Sequence, residues 1–113
     1  MAKMEYRLRG CFDDILNIIN SGIMGGSITA SYEDGSDINV NGVRCAVRVY
    51  ERYSVIGSNR VSLNVTLMGT DNEIYLSAIT SGGSQATFFK INTLGEEAFL
   101  EKLHEVIKPY IYR

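Results

Sequence analysis

Val43 to Ser54 reads VRCAVRVYERYS and alternates with a period of two. Val43, Cys45, Val47 and Val49 fall on one side, and Arg44, Arg48, Tyr50 and Arg52 on the other. Successive strand side chains point to opposite faces, so this run predicts a β-strand with one apolar face and one basic, aromatic face. A half-apolar strand needs a sheet to extend it and a layer to cover it. The segment therefore constrains the fold class more than any other.

The neighbouring runs supply both. Met4, Tyr6 and Leu8 alternate with Glu5, Arg7 and Arg9, which predicts a first strand. Phe12, Ile15, Leu16 and Ile19 follow at helical spacing, and Asp13 and Asp14 suit the positive end of the helix dipole. Gly22 reads as the helix stop, with Ile23 as the apolar residue after it. Ser27 to Glu33 reads as a second strand ended by an Asp34-Gly35 turn. Ile38 and Val40 fit either a short extra strand near 37–40 or a longer connection, before a turn at Asn41-Gly42.

A meander follows. Pairing Arg52 with Ser62 aligns Val49 with Val65 and Val47 with Leu67. Pairing Leu67 with Ile74 aligns Val65 with Leu76 and Leu63 with Ala78. Pairing Thr80 with Gln85 aligns Leu76 with Phe89 and Ile74 with Ile91. A one-residue slip in any pairing would turn an apolar set to the wrong face. Thr93-Leu94-Gly95-Glu96 has the form of a capping box opening a final helix. Ala98, Phe99, Leu103, Val106, Ile107 and Tyr110 form its buried stripe, and Pro109 disrupts its end. The expectation is a single α+β domain over 1–113. It is a two-layer sandwich with an antiparallel sheet of five to six strands and both helices on one face, in the order β-α-β-β-β-β-β-α.

The chain has 113 residues, 45% of them hydrophobic, enough for one core without staples. A net charge of −2 argues against a general polyanion binder. The sequence contains no run of the roughly 18–20 apolar residues that a membrane span needs, and MAKMEYRLRG carries no apolar signal core. Two distant cysteines make no disulfide framework. These features predict a cytoplasmic protein.

RVYERYS at 48–54, ASYEDGS at 30–36 and SAITSGGSQATFFKINTLGEEAFL at 77–100 carry a resemblance over nearly the whole chain. It is similar to a family of short single-domain Firmicutes proteins catalogued as a domain of unknown function. The resemblance implies a bacterial, cytosolic, one-domain protein and brings no catalytic assignment. The element order also resembles helix-grip domains, in which a C-terminal helix closes on a curved sheet around an apolar ligand. That likeness is topological.

In the register above, the uncovered sheet face displays Arg44, Arg48, Tyr50, Arg52, Asn64, Thr66, Tyr75, Ser77, Ile79, Phe88 and Lys90. Guanidinium groups suit carboxylates and phosphates, and rings suit stacking. Tyr50, Tyr75, Ile79 and Phe88 are also apolar for a wet face, which favours a subunit interface over a solvated face or a ligand surface. Ser81-Gly82-Gly83-Ser84 offers backbone N–H groups for an anion, but it joins two strands, and a hairpin turn explains it as well. Asp37 to Gly42 opens like a calcium loop and fails at the twelfth position, which is Arg48. Cys11 begins a helix, where a thiol pKa can fall; Cys45 reads as core packing; His104 lies on a polar helix flank without the partners a nucleophile–base pair needs. No catalytic residue, metal site or cofactor is expected.

The leading functional expectation is a non-enzymatic binding or interaction module, a homo-oligomer that self-associates or binds a partner through its Arg/Tyr-rich sheet face. The first alternative is a small apolar-ligand carrier, with Leu63, Leu76, Phe89, Phe99 and Leu103 lining a pocket between sheet and C-terminal helix. The second is single-stranded nucleic-acid binding by the arginine face. No membrane partner is expected.

Overall fold

The computed structural model describes residues 1–26, 29–54, 59–71, 73–82 and 89–112. In chain order they form β1 (Ala2–Leu8), α1 (Phe12–Gly25), β2 (Ser31–Val40), β3 (Val43–Ser54), β4 (Asn59–Gly69), β5 (Ile74–Gly82) and α2 (Phe89–Ile107). A 3-10 turn over Lys108–Tyr110 follows α2. The strands make one antiparallel sheet in the order β1-β5-β4-β3-β2. Both helices contribute to a single core cluster on one sheet face, which makes the fold a two-layer α+β sandwich, as the alternation of β3 requires. No helix among the described residues is long and apolar enough to cross a membrane.

The covered face is built from Leu8 of β1, Ile74, Leu76 and Ala78 of β5, and Val61, Leu63, Val65 and Leu67 of β4. Onto it pack Ile15, Ile19 and Ile23 of α1 and Phe99, Leu100, Leu103 and Ile107 of α2. The stripe of α2 differs from expectation at two places: Ala98 faces solvent while Leu100 is buried, and Tyr110, half-buried, lies beyond α2 in the 3-10 turn. Helix α1 runs past Gly22 to Gly25, so Gly22 is not a stop. A Cβ on Gly22 would lie 2.4 Å from Cγ2 of Val106. The glycine is there because α1 and α2 touch.

Strand β2 also departs from the expected boundaries. It continues through Asp34-Gly35 as a bulge, with Tyr32 opposite Tyr50, Asp34 opposite Val49 and Glu33 extra. It ends at Asn41 (φ 52°) and Gly42 (φ 80°), the two positive φ values of a type I′ hairpin, so 36–40 is strand and 41–42 the turn. Thr70 and Glu73 close the β4–β5 connection, with Gly69 opposite Ile74. Leu67 therefore pairs with Leu76 and Val65 with Ala78, a two-residue shift from the expected pairing that preserves the faces.

At the far edge β1, and not a strand through Phe89 and Ile91, pairs with β5. Residues 89–91 lie in the first turn of α2 and 83–88 are outside the described residues. Thr93 is thus interior to α2 and not at its N-terminus. The Glu96 carboxylate is buried, accepts the N–H of Gly82 at 2.7 Å and lies 2.7 Å from the Met1 amine. Pro109 sits at the start of the 3-10 turn that ends α2. The chain then returns along β1, where Arg9 N–H donates to Tyr110 O and Tyr112 N–H to Arg7 O, both at 2.8 Å.

Candidate functional site

The β3–β4 pairing decides which residues the open face presents. Arg52 lies opposite Val61, Tyr50 opposite Leu63, Arg48 opposite Val65 and Ala46 opposite Leu67. This is the one-residue slip relative to the expected register. It reverses β3: Arg44, Ala46, Arg48, Tyr50 and Arg52 turn toward the helices, and Val43, Cys45, Val47 and Val49 turn outward.

Each residue turned toward the helices has a reason to be there. Tyr50 is fully buried, its hydroxyl donating to Asn20 Oδ1 at 2.9 Å and its ring set edge-on to Tyr32. Arg44 lies over the Phe12 ring at 4.2 Å and pairs with Asp13 at 2.9 Å. The hydrogen bond from Arg44, and then its charge, holds the Asp13 carboxyl below its ordinary range. Arg48 grips Asp37 through both carboxylate oxygens and donates to Ser36 O and Val47 O. Arg52 covers the Phe99 ring at 4.7 Å, and burial pulls its pKa down. Long cationic side chains can place apolar stems and flat guanidinium groups on a core margin. Because β3 is next to the sheet edge, its helix-facing side is such a margin.

Burial pushes the Tyr50 phenol up to about 12. In the unfolded chain it ionises near its ordinary 10.0, whereas the fold keeps it protonated. Its contribution is whole below pH 10 and lost as pH rises toward 12. Measured against Tyr50→Phe, wild-type stability should fall across that window by on the order of 2–3 kcal/mol. Parallel urea titrations at pH 9, 10, 11 and 12 check this, and a constant difference would contradict the burial.

The open face reads as three rows across the sheet. Ile38, Cys45, Met68, Tyr75 and Arg7 form one; Ser36, Val47, Thr66, Ser77 and Glu5 the next; Asp34, Val49, Asn64, Ile79 and Lys3 the third. Ile38 is 54% exposed, Met68 and Tyr75 45% and Ile79 41%. A shallow cleft of about 500 Å³ runs between β1, β5 and β4, with Met68, Tyr75, Thr66 and Ser77 in its lining. Arg7 pairs with Glu73 at 3.3 Å, Glu73 accepts the Tyr75 hydroxyl at 2.9 Å, and Glu5 is hydrogen-bonded by the Ser77 hydroxyl at 3.1 Å.

Of the residues expected together on one surface, the structure keeps Asn64, Thr66, Tyr75, Ser77 and Ile79 on the open face. It removes Arg44, Arg48, Tyr50 and Arg52 to the other side. Lys90 is in the first turn of α2, and Phe88 lies outside the described residues. Sequence reasoning missed Val43, Cys45, Val47 and Val49, whose apolar character argued for burial, together with Ile38 and Met68. The signal was present in Ala46 and Tyr50, a small and a large apolar residue on the arginine side, and in Asp13 and Asp37, which answer the arginines.

The other candidate positions resolve more simply. Ser81 and Gly82 belong to β5, where Ser81 Oγ meets Ser62 Oγ at 3.0 Å and the Gly82 N–H is occupied by Glu96. Gly83 and Ser84 lie outside the described residues. Cys11 is exposed ahead of α1, and Cys45 is half-buried on the open face, not in the core. His104 packs on the Tyr6 ring and, with Glu101 and Glu105, places three possible donor atoms within 4.8 Å on one flank of α2. Leu63, Leu76, Phe99 and Leu103, expected to wall a ligand pocket, are at most 1% exposed within the core cluster.

The fold and site define a small α+β fold with a mixed polar and apolar sheet face that no described residue covers. Residues 1–111 match the model of a family of unknown function, DUF6054, and the chain belongs to that family. No curated protein and no solved structure matches it.

Proposed function

We propose that this protein is an interaction module that self-associates, burying the open sheet face against a second copy of itself. The observation that carries the reading is the outward turn of β3, which adds Val43, Cys45, Val47 and Val49 to the exposed Ile38, Met68, Tyr75 and Ile79. Ile38, Val43, Cys45, Val47, Val49, Met68 and Tyr75 adjoin one another across β2, β3, β4 and β5, and exposed apolar side chains grouped in this way on a small fold mark an interaction surface. The arginines needed for a nucleic-acid surface face the helices and are engaged with Phe12, Asp13, Asp37 and Phe99.

Native mass spectrometry at micromolar concentration tests the reading. The wild type should give a multiple of the 12.6 kDa chain mass. Met68→Lys/Ile79→Lys changes two side chains already exposed in one copy, so its circular dichroism should be retained while its mass falls to a single chain. A wild type that is a single chain, or a variant that keeps the multiple, would overturn the proposal.

A further inference from the structure

Resting on that reading, we infer that the two copies pack face to face about a two-fold axis running along β4, with Lys3 of each copy set against Asp34 of the other. The open face has two properties that point to this arrangement.

The first is area. Five strands at a spacing of about 4.8 Å, followed for about 27 Å of their length, project roughly 650 Å² per copy. A corrugated side-chain surface has more accessible area than its projection, which brings the face near the roughly 800 Å² per partner of a stable interface.

The second is charge. Register places six charged strand residues on this face: Lys3, Glu5, Arg7, Asp34, Glu51 and Arg60. Arg7 is paired with Glu73, Arg60 with Glu51 at 3.3 Å, and Glu5 is hydrogen-bonded to Ser77. Lys3, Glu5 and Asp34 have no ion-pair partner among the described residues, and of these Lys3 and Asp34, of opposite charge, stand at opposite ends of one row, on the two edge strands.

A two-fold axis lying between two such faces can run along the strands or across them. Along the strands, it exchanges the edges and preserves the rows, so Lys3 meets Asp34 of the other copy twice. Across the strands, it keeps each edge strand on itself and exchanges the outer rows, so Lys3 meets Arg7 of the other copy. Like charges at a closed rim disfavour the second, and opposite charges set the register of the first. Aligned sheet packing at about 30° accommodates it. In this arrangement β4 lies over its own copy, and Asn64 faces Asn64.

The test is a charge exchange followed by sedimentation equilibrium in low salt. Lys3→Glu and Asp34→Lys should each weaken dimerisation about 10-fold. The double variant should return to within about 3-fold of wild type, because both pairs are restored with reversed sign. Asp34→Asn keeps the side-chain oxygen that accepts the Gly35 N–H at 2.8 Å and loses the charge. It should weaken association and reduce its salt dependence. In a Cys11→Ser/Cys45→Ser background, Asn64→Cys should be crosslinked between the two copies by a short bifunctional maleimide, whose reach matches the about 10 Å between packed sheets. Single variants without effect, a double variant with no recovery, or Asn64→Cys that stays uncrosslinked while the protein remains dimeric would overturn this arrangement and leave the self-association reading standing. A wild type that never dimerises would remove both.

Discussion

Replacing Tyr50 by alanine should destabilise the protein by about 3–5 kcal/mol, the cost of a large aromatic truncation in a filled core. Val47→Ala, three residues earlier on the other face, should cost less than about 1 kcal/mol in an isolated copy, since a side chain away from the core leaves no cavity. Tyr50 has no exposed surface, lies opposite Leu63 and donates its hydroxyl to Asn20 across the interface with α1. The alanine would leave a void beneath α1 and strip the Asn20 side chain of that donor. Urea unfolding of both variants compares the two faces of β3 directly. A cheap Tyr50→Ala with a costly Val47→Ala would restore the register that alternation alone suggests.

Gly22→Ala is expected to cost about 1–3 kcal/mol, even though alanine is the better helix former by up to about 1 kcal/mol. The added methyl would sit 2.4 Å and 2.9 Å from the two γ-carbons of Val106, closer than real carbon contacts allow. Valine is branched at Cβ and stiff about χ1, so it cannot swing clear cheaply. One helix must move, and both carry isoleucines, leucines and phenylalanine of the same core. Gly22→Ala/Val106→Ala should recover most of the loss, because the second change opens the space that the first one fills. Denaturant midpoints of the four proteins form a cycle, and additive losses would place the clash elsewhere.

These two positions also mark where reading the chain by itself stops. At Gly22 a glycine after an amphipathic stretch has the form of a helix terminus. The helix continues because α2, some eighty residues later, needs a smooth surface there. At Asp34-Gly35 a turn dipeptide is drawn into a strand by its ladder to β3, with the surplus residue absorbed as a bulge. At Thr93 the capping pattern falls inside α2, and Glu96 reaches the Gly82 amide. In each case a local signal is outcompeted by a partner distant in sequence.

The candidate surface divides the same way. Asn64, Thr66, Tyr75, Ser77 and Ile79 were legible as outward residues, since the apolar alternation of β4 and β5 leaves one choice of face. Arg44, Arg48, Tyr50 and Arg52 were not. Both faces of β3 can be buried: one by valines, the other by Ala46, Tyr50 and arginine stems laid over Phe12 and Phe99.

The α+β class, the two-helix layer and the core faces of β1, β4 and β5 are therefore readable from the chain, whereas the strand at 36–40 and its hairpin at Asn41-Gly42 are one of two readings that the chain leaves open. The readable features follow from periodicity within a few neighbouring residues. The register of β3, and with it the surface left open, comes from packing between distant segments. That choice depends on the position of α1 over the sheet margin, where Asn20 and Asp13 meet Tyr50 and Arg44. A period of two specifies that a strand has two faces. Which of them a helix covers is settled by contacts between residues about 30 positions apart.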